Sequence, residues 1–259
     1  MAKNCSSLVE VENFLNGVYA AYTIKEGGKS EGPYQCFNLG LHVGDDEQTV
    51  LKNRQLLEKS IHKSIVWMNQ THSNKVILCD YRNAQSAKGM LRGTEAVTLG
   101  VDADGIVTND RNVALAVLTA DCLPLLMASE DKKVIAAVHC GWKGLKAGIV
   151  KNAVTLMRRC SLANIHAYLG PCIGPKSFEV GSEVLEQFSE TFPKAKEAFV
   201  SRNNGKYLCS LPLLCSQALT QCGVNNIVFS DEDTYTGEKF YSYRRANVTG
   251  RMASIISLN

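Results

Sequence analysis

Long hydrophobic runs are missing from this 259-residue sequence. A membrane-spanning helix needs about 18 or more apolar residues in succession, and the longer apolar runs, at 113–119 and 134–138, have only the length of strands. The first eleven residues alternate polar and charged side chains and lack the apolar core of an export signal. We therefore expect a cytoplasmic protein that makes no membrane contact.

An excess of charge of one sign is also missing. The chain has 28 Lys and Arg residues against 25 Asp and Glu residues, a net charge of +3. Nucleic-acid-binding domains carry a pronounced basic patch or stripe, which this balance does not require. The composition, 45% hydrophobic and 20% charged, is that of an ordinary globular protein. We expect no nucleic-acid partner, whereas small anionic ligands are compatible with this charge.

The ten cysteines lack the spacing of a disulfide framework or of a local metal motif. They are spread from Cys5 to Cys222 without a CxxC pair, in a chain with no export signal. Free cysteine packs as a small hydrophobic residue. We therefore expect most of them to be reduced core residues, so a functional cysteine must be recognised by its surroundings.

Linkers and internal repeats are absent as well, since no Pro-, Gly- or Ser-rich stretch and no period of 20–50 residues divides the sequence. The sequence predicts one α+β domain over residues 1–259, with mixed, largely buried β-sheets flanked by helices in a layered α/β sandwich. Continuously apolar strands indicate burial on both faces. The predicted strands are 64–68, 76–79, 105–108, 113–119, 123–128, 134–138, 165–169 and 227–229. The predicted helices are 47–60, 145–159, 183–192 and 211–222.

Three potential metal ligands follow directly on predicted strands, where active-site groups usually lie. They are His72, Cys122 and His139. Two imidazoles and one thiolate suit zinc, and three protein ligands leave a fourth position open, as in catalytic zinc sites. Their separations of 50 and 17 residues form no local signature. The alternative is that the histidines satisfy polar groups at strand ends while Cys122 packs in the core.

Basic side chains provide candidate anion-binding groups. Lys143 lies where a buried strand passes into a helix, so it and the free backbone N–H groups of that turn suit a phosphate. Arg244, Arg245 and Arg251 lie near two tyrosines, a combination suited to anion binding and base stacking. A tight turn and a solvated basic face are the respective alternatives.

One histidine outside the ligand set also lies in a loop-like segment. His42 stands between Gly40 and Gly44, which let a ligand approach the backbone. We assign it to substrate binding together with the basic residues. The remaining histidines, His62 and His166, are expected to be structural or exposed.

Several motifs in a fixed order resemble one known family. It is the bacterial purine nucleoside phosphorylase family, formerly classed as multicopper polyphenol oxidase or laccase-domain proteins, and the resemblance runs from about Gly17 to the C-terminus. The ordered combination is far more specific than any single motif. The motifs are NLGLHVGD at 38–45, QTH at 70–72, VDADG at 101–105, ADCLP at 120–124, VHCGW at 138–142, GPCIG at 170–174, SYRR at 242–245 and TGRM at 249–252.

The resemblance implies a zinc ion held by His72, Cys122 and His139, which match the family's ligands without substitution. It also implies phosphorolysis of adenosine, inosine and S-methyl-5′-thioadenosine to the free base and a ribose 1-phosphate, with an additional adenosine deaminase activity. Purine nucleosides and inorganic phosphate are then the ligands. We expect a monomer or a homodimer.

Deamination also needs a carboxylate that shuttles a proton. The HxE motif of known nucleobase deaminases is absent, because no glutamate stands two residues after His139. Asp104, Asp121 and Glu179 are the available carboxylates, and the sequence does not choose among them. On an extended strand Asp121 is expected to point away from the metal beside its neighbour Cys122.

Two other functions stay open. A related fold occurs in a toxin deamidase that uses a Cys and His pair, and Cys122 with His139 would supply similar groups in a metal-free cysteine hydrolase or amidase. Relatives linked to peptidoglycan imply a non-enzymatic quality-control factor. A multicopper oxidase centre is disfavoured, because it needs many imidazoles and the chain has five histidines.

Overall fold

In the computed structural model, two six-stranded sheets pack against each other and helices cover their outer faces. The structure describes residues 7–79 and 97–259. Val66, Leu115 and Ile256 from one sheet and Leu126 and Ala137 from the other belong to a single buried apolar cluster between the sheets. The predicted class, an α+β fold with buried mixed sheets in layers, is confirmed.

Fifteen strands are present in the described part of the chain. Most neighbouring strands are antiparallel, and a few pairs are parallel. The strands are β1 (Leu8–Glu10), β2 (Val18–Thr23), β3 (Ser64–Asn69), β4 (Val76–Leu78), β5 (Val97–Asp102), β6 (Gly105–Thr108), β7 (Val113–Thr119), β8 (Leu123–Ser129), β9 (Ile135–Cys140), β10 (Ile165–Leu169), β11 (Glu179–Val180), β12 (Phe199–Ser201), β13 (Tyr207–Cys209), β14 (Asn226–Phe229) and β15 (Met252–Leu258).

The strands form three sheets. The first has the order β1-β2-β15-β7-β3-β5, the second β14-β10-β8-β9-β6-β4, and a small third sheet β11-β13-β12. In the first sheet β3 is parallel to both β5 and β7. In the second, β8 and β9 are antiparallel, so the start of β8 lies beside the end of β9.

Helices cover both outer faces. Leu57, from the first helix, packs with Ile65 and Trp67 on the outer face of the first sheet. Apolar residues of the other helices, such as Val154 and Leu214, pack on the outer face of the second sheet. The helices are α1 (Glu47–Ile61), α2 (Trp142–Lys146), α3 (Ile149–Arg158), α4 (Ser182–Ser189) and α5 (Leu211–Gln221). None of the helices in the described ranges is long and apolar enough to span a bilayer.

The prediction of one continuous helix over 145–159 is wrong. The chain forms α2 and α3 instead, and Gly148 between them has a φ of +84°, in the left-handed region. A glycine adopts this conformation without the clash that a Cβ would cause. The apolar stripe continues across this break, which is why periodicity alone predicts one helix.

Two central strands of the first sheet escape the sequence prediction. β2 and β15 pair with each other, and β15 also pairs with β7. Two alanines in β2, and one alanine and two serines in β15, interrupt the β-branched runs, although Ser254 and Ser257 are buried. Burial in the centre of a sheet therefore overrides their weak local propensity.

Candidate metal centre and cavity

The three predicted ligands meet at one edge of the two sheets. One ligand atom each from His72, Cys122 and His139 lies within 4.8 Å of the other two. His72 follows the end of β3, Cys122 lies in the turn between β7 and β8, and His139 is near the end of β9. The edge forms because the ends of parallel β3 and β7 lie together and the antiparallel pair β8 and β9 begins and ends there.

Asp104 holds the turn that carries His72. Its Oδ1 accepts a hydrogen bond from the backbone N–H of His72 at 3.0 Å, and its Oδ2 accepts from the backbone N–H of Ser73 at 2.6 Å and from the Ser73 hydroxyl at 2.7 Å. His72 has a φ of +59°. Such a conformation is uncommon for a residue with a side chain, and these hydrogen bonds stabilise it. The His72 side chain remains exposed.

The same carboxylate orients the second imidazole. Nδ1 of His139 lies 2.8 Å from Oδ1 of Asp104, and both side chains are buried. Burial opposes the charge on Asp104, yet hydrogen bonds from His139 and Ser73 hold its pKa well below its usual range. A carboxylate at Nδ1 fixes that nitrogen as the donor and leaves Nε2 of His139 as the ligand atom.

The cysteine is poised as a thiolate. Burial raises the pKa of Cys122, but the opposing effect of His139 and His72 is larger and lowers the pKa to about 6. Burial lowers the pKa of His139, whereas Cys122 and Asp104 raise it to about 9. The thiolate is the form of cysteine that binds metals. The rings of His72 and His139 meet edge to face, with centroids 4.8 Å apart.

Gly141 provides the space in which the three ligands meet. A Cβ at this position would lie 3.3 Å from Sγ of Cys122, 3.3 Å from Cδ2 of His72 and 3.5 Å from Cε1 of His139. The two contacts at 3.3 Å are tighter than usual, so the Cys122 and His72 side chains would have to shift slightly. The backbone conformation at Gly141 is an ordinary extended one, so the glycine serves close approach and not a special φ.

The donor set fits zinc. Two imidazole nitrogens and a thiolate sulfur are typical zinc ligands, and a site with three protein ligands keeps one position for water or substrate. The carboxylate behind His139 is the usual supporting partner of such a ligand. Within residues 7–79 and 97–259 no other group of three His, Cys, Asp or Glu side chains converges in this way. One site with two histidines does not resemble a multicopper centre.

The ligand cluster forms one wall of a cavity of about 470 Å³. Pockets of this size hold small-molecule ligands, and they are usually apolar with a few polar groups. Aromatic and aliphatic side chains make up most of the other walls. The lining residues are His42, Gln70, His72, Leu118, Thr119, Ala120, Asp121, Cys122, His139, Trp142, Ile173, Phe178, Leu211, Tyr243, Arg244 and Arg251.

Three of the five predicted substrate-binding residues line this cavity, namely His42, Arg244 and Arg251. Lys143 and Arg245 do not. Lys143 is exposed on α2, with Nζ 5.8 Å from the centroid of the neighbouring tryptophan ring. The guanidinium group of Arg245 donates to three backbone carbonyl oxygens, those of Thr234, Tyr235 and Phe240. Arg245 therefore braces the loop that precedes it.

The two arginines in the cavity are held by backbone groups and aromatic rings. Nη1 of Arg251 donates to the carbonyl oxygens of Thr249 and Gly250, and its Cζ lies 5.9 Å from the centroid of the Tyr243 ring. Burial lowers the pKa of Arg251, and the negative charges of Cys122 and Asp121 oppose this effect. Arg251 thus presents a partly desolvated positive charge to the ligand cluster.

His42 lines the cavity close enough to Arg251 to be affected by its charge. Burial and, after it, the charge of Arg251 lower the pKa of His42 below the usual value of a histidine. The lowered pKa favours the neutral imidazole, which offers both a donor and an acceptor to a ligand.

The candidate carboxylates occupy three different environments. Asp104 lies behind His139, and Glu179 pairs with Lys206 at 2.9 Å on the surface. Only Asp121 lines the cavity. The expectation that Asp121 points away from the metal stays a prediction. Its φ is +96°, and its carboxylate accepts hydrogen bonds from Thr234, Ser242 and Arg244.

Several cavity residues carry no function in the sequence prediction. Phe178 and Leu211 belong to no motif that indicates a ligand, and Trp142 and Ile173 lie in motifs whose chemistry is carried by other residues. Gln70 lines the cavity but both ends of its amide bond the backbone of Leu118. Apolar residues of a binding site resemble core residues in sequence, so no local signal identifies them.

Comparison with known proteins gives consistent matches over nearly the whole chain. A family described as "Multi-copper polyphenol oxidoreductase laccase" matches residues 19–259. The Haemophilus influenzae protein named purine nucleoside phosphorylase is 38% identical over 249 residues, which cover 94% of this chain and 96% of the relative. The Escherichia coli purine nucleoside phosphorylase YfiH is 39% identical over 245 residues, which cover 93% of this chain and 94% of the relative.

Solved structures match the fold equally well. A crystal structure of a Neisseria meningitidis protein has a TM-score of 0.87 and 35% identity, and the match covers 98% of this chain and all of that chain. The crystal structure of YlmD from Geobacillus stearothermophilus has a TM-score of 0.88 and 28% identity, with 100% and 98% of the two chains covered.

Proposed function

The chain belongs to the multi-copper polyphenol oxidoreductase laccase family, in which similar relatives are named purine nucleoside phosphorylases, and we propose that it is a cytoplasmic, zinc-dependent purine nucleoside phosphorylase. Its substrates are adenosine, inosine and S-methyl-5′-thioadenosine, and adenosine deamination is a second activity of the same site. The observation that carries the proposal is the convergence of His72, Cys122 and His139 on one cavity that also holds two arginines and three aromatic rings.

The ligand cluster has a defined role in this proposal. His72, Cys122 and His139 hold zinc, and Asp104 keeps the His139 ring in the orientation that directs Nε2 to the ion. A bound zinc ion supplies Lewis-acid chemistry, which activates water or stabilises developing negative charge. His42, which lines the cavity, hydrogen-bonds the nucleoside in this proposal.

The rest of the cavity accommodates the two substrates of phosphorolysis. Arg244 and Arg251 bind the phosphate anion, since guanidinium groups match its oxygens in geometry and charge. Trp142, Phe178 and Tyr243 offer ring faces for the purine. An oxygen of hydrogen phosphate then bonds to C1′ of the ribose while the bond from C1′ to the purine nitrogen breaks, and the departing base takes up the proton that the hydrogen phosphate gives up. The arginines also hold the phosphate close enough to C1′ of the bound nucleoside to react.

Chromatographic analysis of the reaction products tests this function. Metal-analysed protein is incubated with adenosine, with and without inorganic phosphate, and adenine, inosine and hypoxanthine are separated. We expect adenine and ribose 1-phosphate only when phosphate is present, and inosine in both samples. Zinc at about one ion per chain with product formation supports the proposal. Product formation that survives complete removal of metal contradicts it.

A cysteine hydrolase is the second candidate, and one observation favours it. The Cys122 thiol, the His139 imidazole and the Asp104 carboxylate form a chain of interacting groups, with a Cys122 pKa of about 6. A nucleophile, a base and an orienting acid arranged in this order characterise cysteine hydrolases. His72 is not needed in that mechanism, so a variant at His72 separates the two candidates.

A further inference from the structure

Asp121 occupies an unusual place beside the ligand cluster. It precedes Cys122 in the turn between β7 and β8, its side chain is 8% exposed, and its φ is +96°. A residue with a Cβ adopts this backbone conformation only where its surroundings impose it. The contacts of the Asp121 carboxylate identify what those surroundings are.

The carboxylate of Asp121 accepts three hydrogen bonds from one distant segment. Oδ1 accepts from the Thr234 hydroxyl at 2.7 Å, and Oδ2 accepts from the Ser242 hydroxyl at 3.0 Å and from the backbone N–H of Arg244 at 2.7 Å. The partners lie 113, 121 and 123 residues further along the chain. The backbone oxygen of Asp121 also accepts from the N–H of Ile173 at 2.9 Å. One residue therefore joins the metal turn to the segment that carries the cavity arginine.

The side chain of Arg244 is fixed at its other end as well. Its Nη1 donates to the backbone oxygen of Glu179 at 3.0 Å, and its Cζ lies 5.4 Å from the centroid of the Phe178 ring. Backbone and guanidinium group are thus held separately, and the remaining N–H donors of the guanidinium can face the cavity. An arginine held in this way loses little freedom when it binds an anion.

These contacts leave Asp121 poorly suited to move protons. Both of its oxygens accept from donors of the protein, and two of those donors meet on Oδ2. A general acid or base needs an oxygen within hydrogen-bond reach of the substrate. Positioning is therefore the role that the contacts favour over proton transfer.

We propose that Asp121 is a positioning residue that sets the place of Arg244 relative to Cys122, and that through this contact it governs the binding of phosphate. This inference rests on the proposed phosphorolysis, in which Arg244 holds the phosphate. In this role Asp121 acts on the phosphate through Arg244. The mechanical link is short, since one hydrogen bond joins the Asp121 carboxylate to the Arg244 backbone.

A double-mutant cycle in the zinc-loaded enzyme tests the link. The variants are Asp121→Asn, Arg244→Gln and the double variant, each measured with phosphate and nucleoside varied separately. Asparagine keeps the size of Asp121 but removes its negative charge, which weakens the hydrogen bond from the Arg244 N–H in either orientation of the amide. We expect each single variant to raise the KM for phosphate about tenfold or more and the KM for nucleoside less than about threefold. The double variant should be no worse than Arg244→Gln alone, because coupled residues are not additive.

Asp233→Asn is the matched control. Asp233 lies on the same segment and accepts from the Gly174 N–H, the Ser177 hydroxyl and the Tyr235 N–H, but not from Arg244. Its replacement loosens the segment, so we expect a lower melting temperature with the KM for phosphate within about twofold of wild type. An equal rise in the KM for phosphate in Asp233→Asn overturns the inference, because general loosening would then explain the effect.

A second measurement keeps the inference independent of the reaction. The NMR signal of the Arg244 Nε–H group, assigned by its loss in Arg244→Gln, should shift or broaden in Asp121→Asn and stay in place in Asp233→Asn. An unchanged signal in Asp121→Asn overturns the positioning role. If the wild-type protein shows no phosphorolysis, the proposed function is contradicted instead. A rise in the KM for phosphate in Arg244→Gln but not in Asp121→Asn contradicts the positioning role alone.

Discussion

Nδ1 of His139 and Oδ1 of Asp104 lie 2.8 Å apart in a fully buried contact, with exposed fractions of 3% and 0%. The same carboxylate accepts from the backbone N–H groups of His72 and Ser73. Asp104 therefore fixes one histidine ligand through its ring and the other through its backbone. The contact links two parts of the chain that lie 35 residues apart.

Replacement of Asp104 by Asn is expected to weaken zinc binding. The amide keeps the size of the carboxylate but loses its charge and one acceptor, so His139 and the turn at His72 are less firmly held. Loss of such supporting contacts typically lowers metal affinity about 10- to 100-fold. Competition with a chromophoric zinc chelator measures the effect. Glu179→Gln is the control, since the Glu179 carboxylate forms an ion pair with Lys206 at the surface. An affinity of Asp104→Asn within about twofold of that control would contradict the assigned role.

Replacement of His72 by Ala separates the zinc enzyme from the cysteine hydrolase. A zinc site with two remaining ligands binds weakly, so we expect loss of stoichiometric zinc and a fall in phosphorolysis of about 100-fold or more. His62→Ala is a close control, because His62 is also exposed and also has a positive φ, of 54°. Metal analysis and product chromatography on both variants give the readout. Unchanged product formation by His72→Ala without bound zinc would support the metal-free mechanism.

The ligand residues were accessible from sequence because they combine three signals. Each of His72, Cys122 and His139 follows a short apolar run, each is a residue type that binds zinc, and each lies in a motif of an ordered set. The alternation of apolar runs with helical periodicity also predicts the layered fold correctly. These signals are local, or depend only on the order of local motifs.

What sequence could not predict depends on contacts between distant segments. Arg244 and Arg245 are adjacent and chemically identical, yet one faces the cavity and the other braces three carbonyl oxygens of its own loop. The direction of Asp121 depends on a positive φ that no residue pattern indicates. Phe178 lines the cavity, where its ring lies 5.4 Å from Cζ of Arg244, a residue 66 positions away in sequence. Such placements are set by tertiary packing.

In protein stripped of zinc by a chelator, Cys122 should react with iodoacetamide at unusually low pH. Its pKa of about 6 lies below the value near 8.5 of an ordinary thiol, so the thiolate predominates above about pH 6 and is lost as the pH falls through that value. Alkylation of each cysteine is followed by mass spectrometry from pH 5 to 9. Cys209, whose pKa burial raises to about 12, is an internal control that should stay unmodified. Bound zinc should protect Cys122 from alkylation. A midpoint of the Cys122 alkylation profile near pH 8.5 would show that the histidines do not lower its pKa.

Tyr243 is expected to bind the purine through its ring and not through its hydroxyl group. The side chain lines the cavity, is 53% exposed and lies with its ring centroid 5.9 Å from Cζ of Arg251. Stacking of a base on an aromatic ring contributes about 1–3 kcal/mol, so Tyr243→Ala should raise the KM for adenosine about tenfold. Tyr243→Phe keeps the ring and should stay within about twofold of wild type. Because the phosphate is held by the arginines, its KM should change little in either variant. A large effect of Tyr243→Phe would instead assign the interaction to the hydroxyl group, and equal effects of Tyr243→Ala on both KM values would indicate that the ring supports Arg251.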